Sequence, residues 1–334
     1  MAKVAINGMG RIGRAALKII LDNTKLDLVA VNDLMPLDNL VYLLKYDSVY
    51  KRYHRKVEMK DGNLVIDGKT IKVLSVKDPA ELPWKDLGID VVCECTGVFT
   101  NQEGMNKHLQ AGAKYALLSA PPKGADVCCI VHGVTQPPAG EKAYSCASCT
   151  TNCISPVIEI IGRYFGIKKA TMTTIHAYTS SQAIVDGPAK KWRRGRAGAA
   201  NFVPTSTGAA KATTNCLPQL KGKFDGLGVR GPVPSGSLAD IVFVTERPTS
   251  VEEISRIFQE EAETPRYKGI MGIAEAPLVS HDIIQDPRAS IVDLEMTQVV
   301  DGDLVKILSW YDNEWGYTNQ MIKEAVRAVK AAKL

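Results

Sequence analysis

Val4-Ala5-Ile6-Asn7-Gly8-Met9-Gly10-Arg11-Ile12-Gly13-Arg14 carries the pattern on which the fold turns, Gly8-x-Gly10-x-x-Gly13. A short apolar run leads into it. Arg11 to Asp22 follows, with Ile12, Ala15, Ala16, Ile19 and Ile20 at helical spacing. Leu26 to Asn32 then reads as a second strand. The glycines alone are a weak signal, but between a strand and a helix they have the context of a dinucleotide site. Gly8 permits the sharp turn, Gly10 lets a pyrophosphate approach the backbone, and Gly13 lets helix and strand pack closely. The phosphates would rest on the free N–H groups at the helix N-terminus. Asp33 lies twenty residues beyond Gly13. A carboxylate there accepts hydrogen bonds from an adenosine ribose and repels a 2′-phosphate, so the expected cofactor is NAD rather than NADP.

Working outward, the first 150 residues keep alternating strand and helix signals, which implies a parallel sheet with right-handed crossovers. Further strands are read at Asp90 to Cys95 and Ala116 to Ser119. Lys56 to Leu74 breaks the alternation. Its Asp61-Gly62 and Asp67-Gly68 pairs predict hairpin turns and an antiparallel insertion. After Thr150 the texture changes. Asn152 to Tyr164 predicts a helix with Pro156 in its first turns, and Thr171 to His176 predicts a strand. Asp186 to Ala200 lacks an apolar period and predicts a long loop. Ile241 to Glu246, Ser290 to Leu294 and Leu304 to Ser309 are Val- and Ile-rich strands, and Gln320 to Lys333 is a closing amphipathic helix. The expected fold is α/β: a Rossmann-type doubly wound dinucleotide-binding domain, residues 1–148 plus a C-terminal helix 313–334, and an α+β catalytic domain, 149–312, with a largely antiparallel sheet.

The composition narrows the function classes. The chain has 334 residues, 45% hydrophobic and 23% charged, which is globular composition in a length suited to about two domains. No apolar run is long enough to cross a membrane, and the strand pattern from Met1 leaves no room for a leader. A net charge of +5 favours small anions as partners and argues against nucleic acid. The eight cysteines, at 93, 95, 128, 129, 146, 149, 153 and 216, form no disulfide framework and no zinc spacing. No metal is expected, and the pattern fits a reducing cytoplasm.

Ser145-Cys146-Ala147-Ser148-Cys149-Thr150-Thr151-Asn152-Cys153 is small and polar just before a helix. A cysteine at a helix N-terminus is favoured as thiolate, and Cys149 is the best placed. Cys93, Cys95, Cys128, Cys129, Cys153 and Cys216 read as buried small hydrophobes. His176 ends a strand, where catalytic side chains are common. Paired with Cys149 it would lower the thiol pKa and supply a base.

These residues carry a family resemblance. Asn7-Gly8-x-Gly10-Arg11-Ile12-Gly13-Arg14, Ala147 to Cys153, His176-Ala177-Tyr178-Thr179, Pro204 to Lys211 and Trp310 to Tyr317 occur in this order. Together they closely resemble the phosphorylating glyceraldehyde-3-phosphate dehydrogenase family over essentially the full chain. The resemblance implies that Cys149 attacks the aldehyde to form a hemithioacetal and that His176 takes the proton. Hydride then passes to NAD, and inorganic phosphate displaces the thioester to give 1,3-bisphosphoglycerate. It implies that Thr179 and Arg230 hold the substrate phosphate, and that Ser148, Thr150, Thr207 and Gly208 hold the attacking one. It carries Arg11 and Ile12 to the pyrophosphate, Asp33 to the ribose, Lys77, Thr96 and Ser119 along the dinucleotide, and Asn313 to the nicotinamide amide. It also implies a homotetramer. Four positions depart from the family pattern: Met9 for Phe, Lys77 for Arg, Cys146 for Asn and Gly231 for Val.

Two other readings compete. Erythrose-4-phosphate dehydrogenase shares the Cys–His machinery, but His176 to Thr179 and Pro204 to Gly208 keep the phosphate-site pattern of the glyceraldehyde enzyme. Lys190-Lys191-Trp192-Arg193-Arg194-Gly195-Arg196 is a basic stretch with one aromatic, the feature a nucleic-acid reading would rest on. A charge run in a chain of small net charge reads as a solvated face.

Overall fold

The computed structural model describes residues 1–124 and 126–332, so residues 333 and 334 of the expected last helix lie outside the described residues. Two compact units emerge. The first is Met1–Ile130, Pro137–Ala147 and Met321–Leu334; the second is Val131–Gln136 and Ser148–Gln320.

In the first unit the strands lie in the order Ala143–Ser145, Tyr115–Leu118, Val91–Glu94, Lys3–Asn7, Asp27–Asn32, Lys69–Leu74, Asn63–Ile66 and Val57–Lys60. The pairs from Ala143–Ser145 through Lys69–Leu74 are all parallel. Chain order therefore reverses beside Lys3–Asn7, which makes the carboxyl end of that strand a topological switch point. The predicted hairpins are present: Asp61 and Asp67 take positive φ, each followed by a left-handed glycine. The insertion joins the main sheet through Lys69–Leu74, which pairs parallel to one neighbour and antiparallel to the other. Helix Arg11–Asn23 buries Ala15, Ala16, Ile19 and Ile20 of the expected face, together with Leu17, while Ile12 in its first turn is only half-buried.

The second unit is one mixed sheet. Its order is Val203–Ser206, Phe224–Gly231, Ile167–Ala177, Ser237–Thr245, Leu304–Tyr311, Ser290–Val300 and Met271–Ile273. The pairings are antiparallel except Ile167–Ala177 with Phe224–Gly231 and Met271–Ile273 with Ser290–Val300. Strand Ser237–Thr245 alternates strictly between buried and half-buried residues. Its buried side packs Ile241 and Phe243 with Cys153, Val157 and Ile161 of helix Cys149–Phe165. That helix starts earlier than expected. Pro156 is therefore inside it rather than in its first turns, where the missing N–H forgoes one backbone bond. The last helix also starts early, at Trp315.

Candidate functional site

The nucleophile is placed by a turn and a cap. Ala147 is buried at φ +60, a conformation that only a determined environment imposes on a residue with a Cβ. Ser148 then caps the helix, its Oγ accepting the Thr151 N–H at 3.0 Å, and Cys149 becomes the first helical residue. Strand Ile167–Ala177 brings His176 alongside: its Nε2 lies 3.3 Å from the Cys149 Sγ. The adjoining strand Phe224–Gly231 sets Arg230 in register with His176.

At the far edge of the ring two groups compete for Nδ1. The Ala177 carbonyl lies 2.7 Å away and accepts a proton from Nδ1. The Arg230 Nη1 lies 2.9 Å away and donates to a bare Nδ1, or to the same carbonyl at 3.0 Å. The first arrangement leaves Nε2 bare to take the thiol proton. The second puts an Nε2 hydrogen on sulfur. Tyr311 packs edge-on against the ring at 6.0 Å between centroids, and its hydroxyl is held by Thr150 Oγ1 and Thr174 Oγ1.

The expected lowering of the thiol pKa is corrected by this environment. Burial pushes the Cys149 thiol up, against the opposing pull of Arg230, Thr150 and backbone N–H groups. Burial and the neighbouring guanidinium of Arg230 hold the His176 imidazole down at about 3. Both shifts oppose charge separation in the couple, and Nε2 stands where it can take the thiol proton during attack.

Arg230 has no carboxylate partner among the described residues, where its guanidinium meets the His176 ring and the Ala177 carbonyl. Arg194, a residue the sequence reading did not single out for this site, donates to Thr205 Oγ1 at 3.0 Å and Ser181 Oγ at 3.4 Å. Ser181 Oγ in turn meets Thr179 Oγ1 at 2.8 Å. Arg194 adds its positive charge to the field at both His176 and Arg230. Uncompensated, partly buried guanidinium charge beside hydroxyls is what an anionic substrate group requires. Gly208 leads into helix Ala209–Cys216, with Thr207 Oγ1 accepting the Ala209 N–H. Thr150 is buried with its hydroxyl on Tyr311. Gly231 is not crowded, since a Cβ there would meet only the Phe202 ring at 3.8 Å.

In the first unit a cavity of about 440 Å³ is lined by Asn7, Gly8, Gly10, Asn32, Asp33, Val76, Lys77, Cys95 and Thr96, with Leu34, Met35, Val98 and Phe99. It sits beyond the carboxyl ends of the strands, at the switch point. The glycines behave as their pattern requires. Gly8 has φ +95 and a Cβ there would strike Thr96 N at 2.6 Å; one on Gly13 would strike the Gly8 carbonyl at 1.9 Å; one on Gly10 would meet nothing. Asp33 accepts the N–H groups of Met9 and Met35. The Arg11 side chain pairs with Asp47, while Ile12 lies in the first turn of its helix. Ser119 follows its strand but is not among the lining residues. Beneath the cavity lies a buried network absent from the sequence reading. Glu94 accepts from Asn7 Nδ2 at 2.6 Å, from the Thr96 N–H at 2.7 Å and from His108 Nε2 at 2.9 Å, while Trp84 Nε1 donates to His108 Nδ1. Cavity, open Gly10 backbone and helix N-terminus together suit a dinucleotide.

Among the described residues no three His, Cys, Asp or Glu side chains gather as a metal would need, and no helix is long and apolar enough to cross a membrane.

Comparison with known proteins adds a second line of argument. Residues 2–102 match the family described as glyceraldehyde 3-phosphate dehydrogenase, NAD binding domain, and residues 148–313 match its C-terminal domain. A glyceraldehyde-3-phosphate dehydrogenase of Streptomyces coelicolor is 47% identical over 324 residues, covering 96% of each chain. That of Zymomonas mobilis is 45% identical, covering 98% of each. That of Thermotoga maritima is 47% identical, covering 96% of this chain and 97% of its own.

Proposed function

The chain belongs to the glyceraldehyde-3-phosphate dehydrogenase family, and from that premise we propose how its own residues carry out the NAD-dependent phosphorylating oxidation of glyceraldehyde 3-phosphate. The observation that carries the reading is the 3.3 Å approach of Cys149 Sγ to His176 Nε2, with Arg230 on the ring's opposite edge.

Cys149 Sγ bonds to the aldehyde carbon as His176 Nε2 takes the thiol proton and passes it to the carbonyl oxygen, giving a hemithioacetal. His176 then removes that hydroxyl proton while the carbon gives up hydride. When bound, NAD supplies the hydride acceptor. The resulting thioester keeps the acyl group activated, so inorganic phosphate can attack it and release Cys149 as the leaving group. Thr179 and Arg230 hold the substrate phosphate, and Arg194 adds positive charge. Ser148, Thr150, Thr207 and Gly208 serve the attacking phosphate. Thr150 does so by accepting the Tyr311 O–H and turning its own hydroxyl hydrogen to the phosphate.

The cofactor is held by Gly8, Gly10 and Gly13 through the backbone turn, by Arg11 and Ile12 at the pyrophosphate, by Asp33 at the ribose and by Lys77, Thr96 and Ser119 along its length. Asn313 meets the nicotinamide amide. In this reading residues 1–148 with 313–334 are the cofactor domain and 149–312 the catalytic one. We further propose a cytoplasmic homotetramer. The exposed Ile184, Val185, Trp192 and Phe202 support burial of this loop against further copies.

One steady-state assay tests the reading, comparing NAD with NADP and glyceraldehyde 3-phosphate with erythrose 4-phosphate, each with and without inorganic phosphate. Phosphate-dependent turnover of glyceraldehyde 3-phosphate with NAD is expected, lost in Cys149→Ala with NAD binding retained. Dominant, phosphate-independent turnover of erythrose 4-phosphate overturns it.

A further inference from the structure

Ser237 stands at the start of strand Ser237–Thr245 and is buried, yet its hydroxyl belongs to no turn or cap. Its Oγ accepts the Ala177 N–H at 3.1 Å. With that lone pair engaged, the hydroxyl hydrogen goes to Asn313 Oδ1, 2.8 Å away. The Gly236 N–H donates to the same Oδ1 at 3.2 Å. Two donors converging on one atom fix that atom as oxygen, so the amide of Asn313 has one orientation. No hydrogen bond engages its Nδ2 among the described residues. Gly236 has to be glycine, since at φ +88 a Cβ would strike the Ser280 carbonyl at 2.1 Å.

The other end of the chain reaches the reacting pair. Ala177 is the residue whose carbonyl meets His176 Nδ1 at 2.7 Å and Arg230 Nη1 at 3.0 Å. We propose that Ser237 is a positioning residue that locks Asn313 with Nδ2 outward, as a donor to the carboxamide oxygen of the nicotinamide, and ties that contact to the peptide that orients His176. This inference rests on the reading of Asn313 as the nicotinamide contact. Its physical content is that one buried hydroxyl serves both the hydride acceptor's orientation and the base's.

The test needs no mutation in its first arm. The 3-acetylpyridine analogue of NAD keeps the carbonyl oxygen and lacks the amide N–H₂. The unmodified enzyme is expected to bind it within about threefold of NAD, because only the oxygen is addressed. A loss of about tenfold or more means that Oδ1 faces the ligand, and overturns the proposal. The second arm is a double-mutant cycle on NAD affinity. Ser237→Ala is expected to weaken binding about tenfold in the native background and to have little effect beside Asn313→Ala, with Ser237→Thr restoring affinity. Equal losses in both backgrounds, or none in either, overturn it. The third arm reads the pH profile of Cys149 alkylation without cofactor. Ser237→Ala is expected to shift it through Ala177, and an unmoved profile removes the link to His176. Failure of the underlying reading looks different: Asn313→Ala alone would then leave NAD affinity unchanged.

Discussion

Nη1 of Arg230 stands 2.9 Å from Nδ1 of His176, on the opposite edge of the imidazole from the sulfur of Cys149. The guanidinium therefore acts on both members of the couple in opposite senses. Beside the larger effect of burial, it pulls the thiol toward its anion and disfavours the charged imidazole. Its positive charge favours a developing thiolate at Cys149.

Arg230→Gln removes that charge while keeping a donor for the Ala177 carbonyl. We expect the midpoint of Cys149 alkylation against pH to rise, and the KM for glyceraldehyde 3-phosphate to rise about tenfold or more. An unmoved midpoint would mean that the guanidinium does not reach the sulfur.

His176 provides a pH dependence of folding with a definite sign. Its folded value of about 3 lies below the ordinary 6.5. The unfolded chain therefore binds a proton that the native one refuses. The contribution is present above about pH 6.5 and is lost as pH falls toward 3, at up to about 1.4 kcal/mol per pH unit. His176→Asn is expected to flatten the acid limb of stability by about one proton, measured by urea unfolding across that window. Parallel limbs in the two proteins would contradict the buried neutral ring.

Asp33 accepts two N–H groups of the glycine turn and the following loop. Asp33→Gly is expected to relax discrimination against NADP and also to weaken NAD, because those donors lose their acceptor. The ratio of kcat/KM for the two cofactors reads the first effect. An unchanged ratio places the selectivity elsewhere.

Gly10 and Gly13 should separate binding from folding. A methyl at Gly10 meets nothing in the protein and would stand where the pyrophosphate approaches. Gly10→Ala should keep its melting temperature and lose NAD affinity. A methyl at Gly13 meets a carbonyl at 1.9 Å, so Gly13→Ala should cost about 1–3 kcal/mol of stability. Calorimetry and cofactor titration on the pair check both; the reverse pattern would refute the assignment of the two glycines.

Much of this protein was legible before folding was considered, because it is written in local spacing. The three glycines between strand and helix, the Asp-Gly hairpins and the helix at Cys149 each depend on residues within a few positions of one another. Backbone sterics, turn chemistry and capping act at that range. Even here the helix start slipped, since capping by Ser148 placed Pro156 in the interior.

Residue types without geometry could not decide the rest. Cys149 meets His176 across 27 positions, His176 meets Arg230 across 54, and Ser237 meets Asn313 across 76. Those meetings are set by strand register in the mixed sheet. Register also buries His176 and leaves Cys149 half-buried, and desolvation there opposes the charged form of each. The sequence alone determined which side chains were available and how each begins its strand or helix. Only the tertiary structure decided which of them share a dry environment, because desolvation and charge proximity belong to the packed sheet and have no local signature.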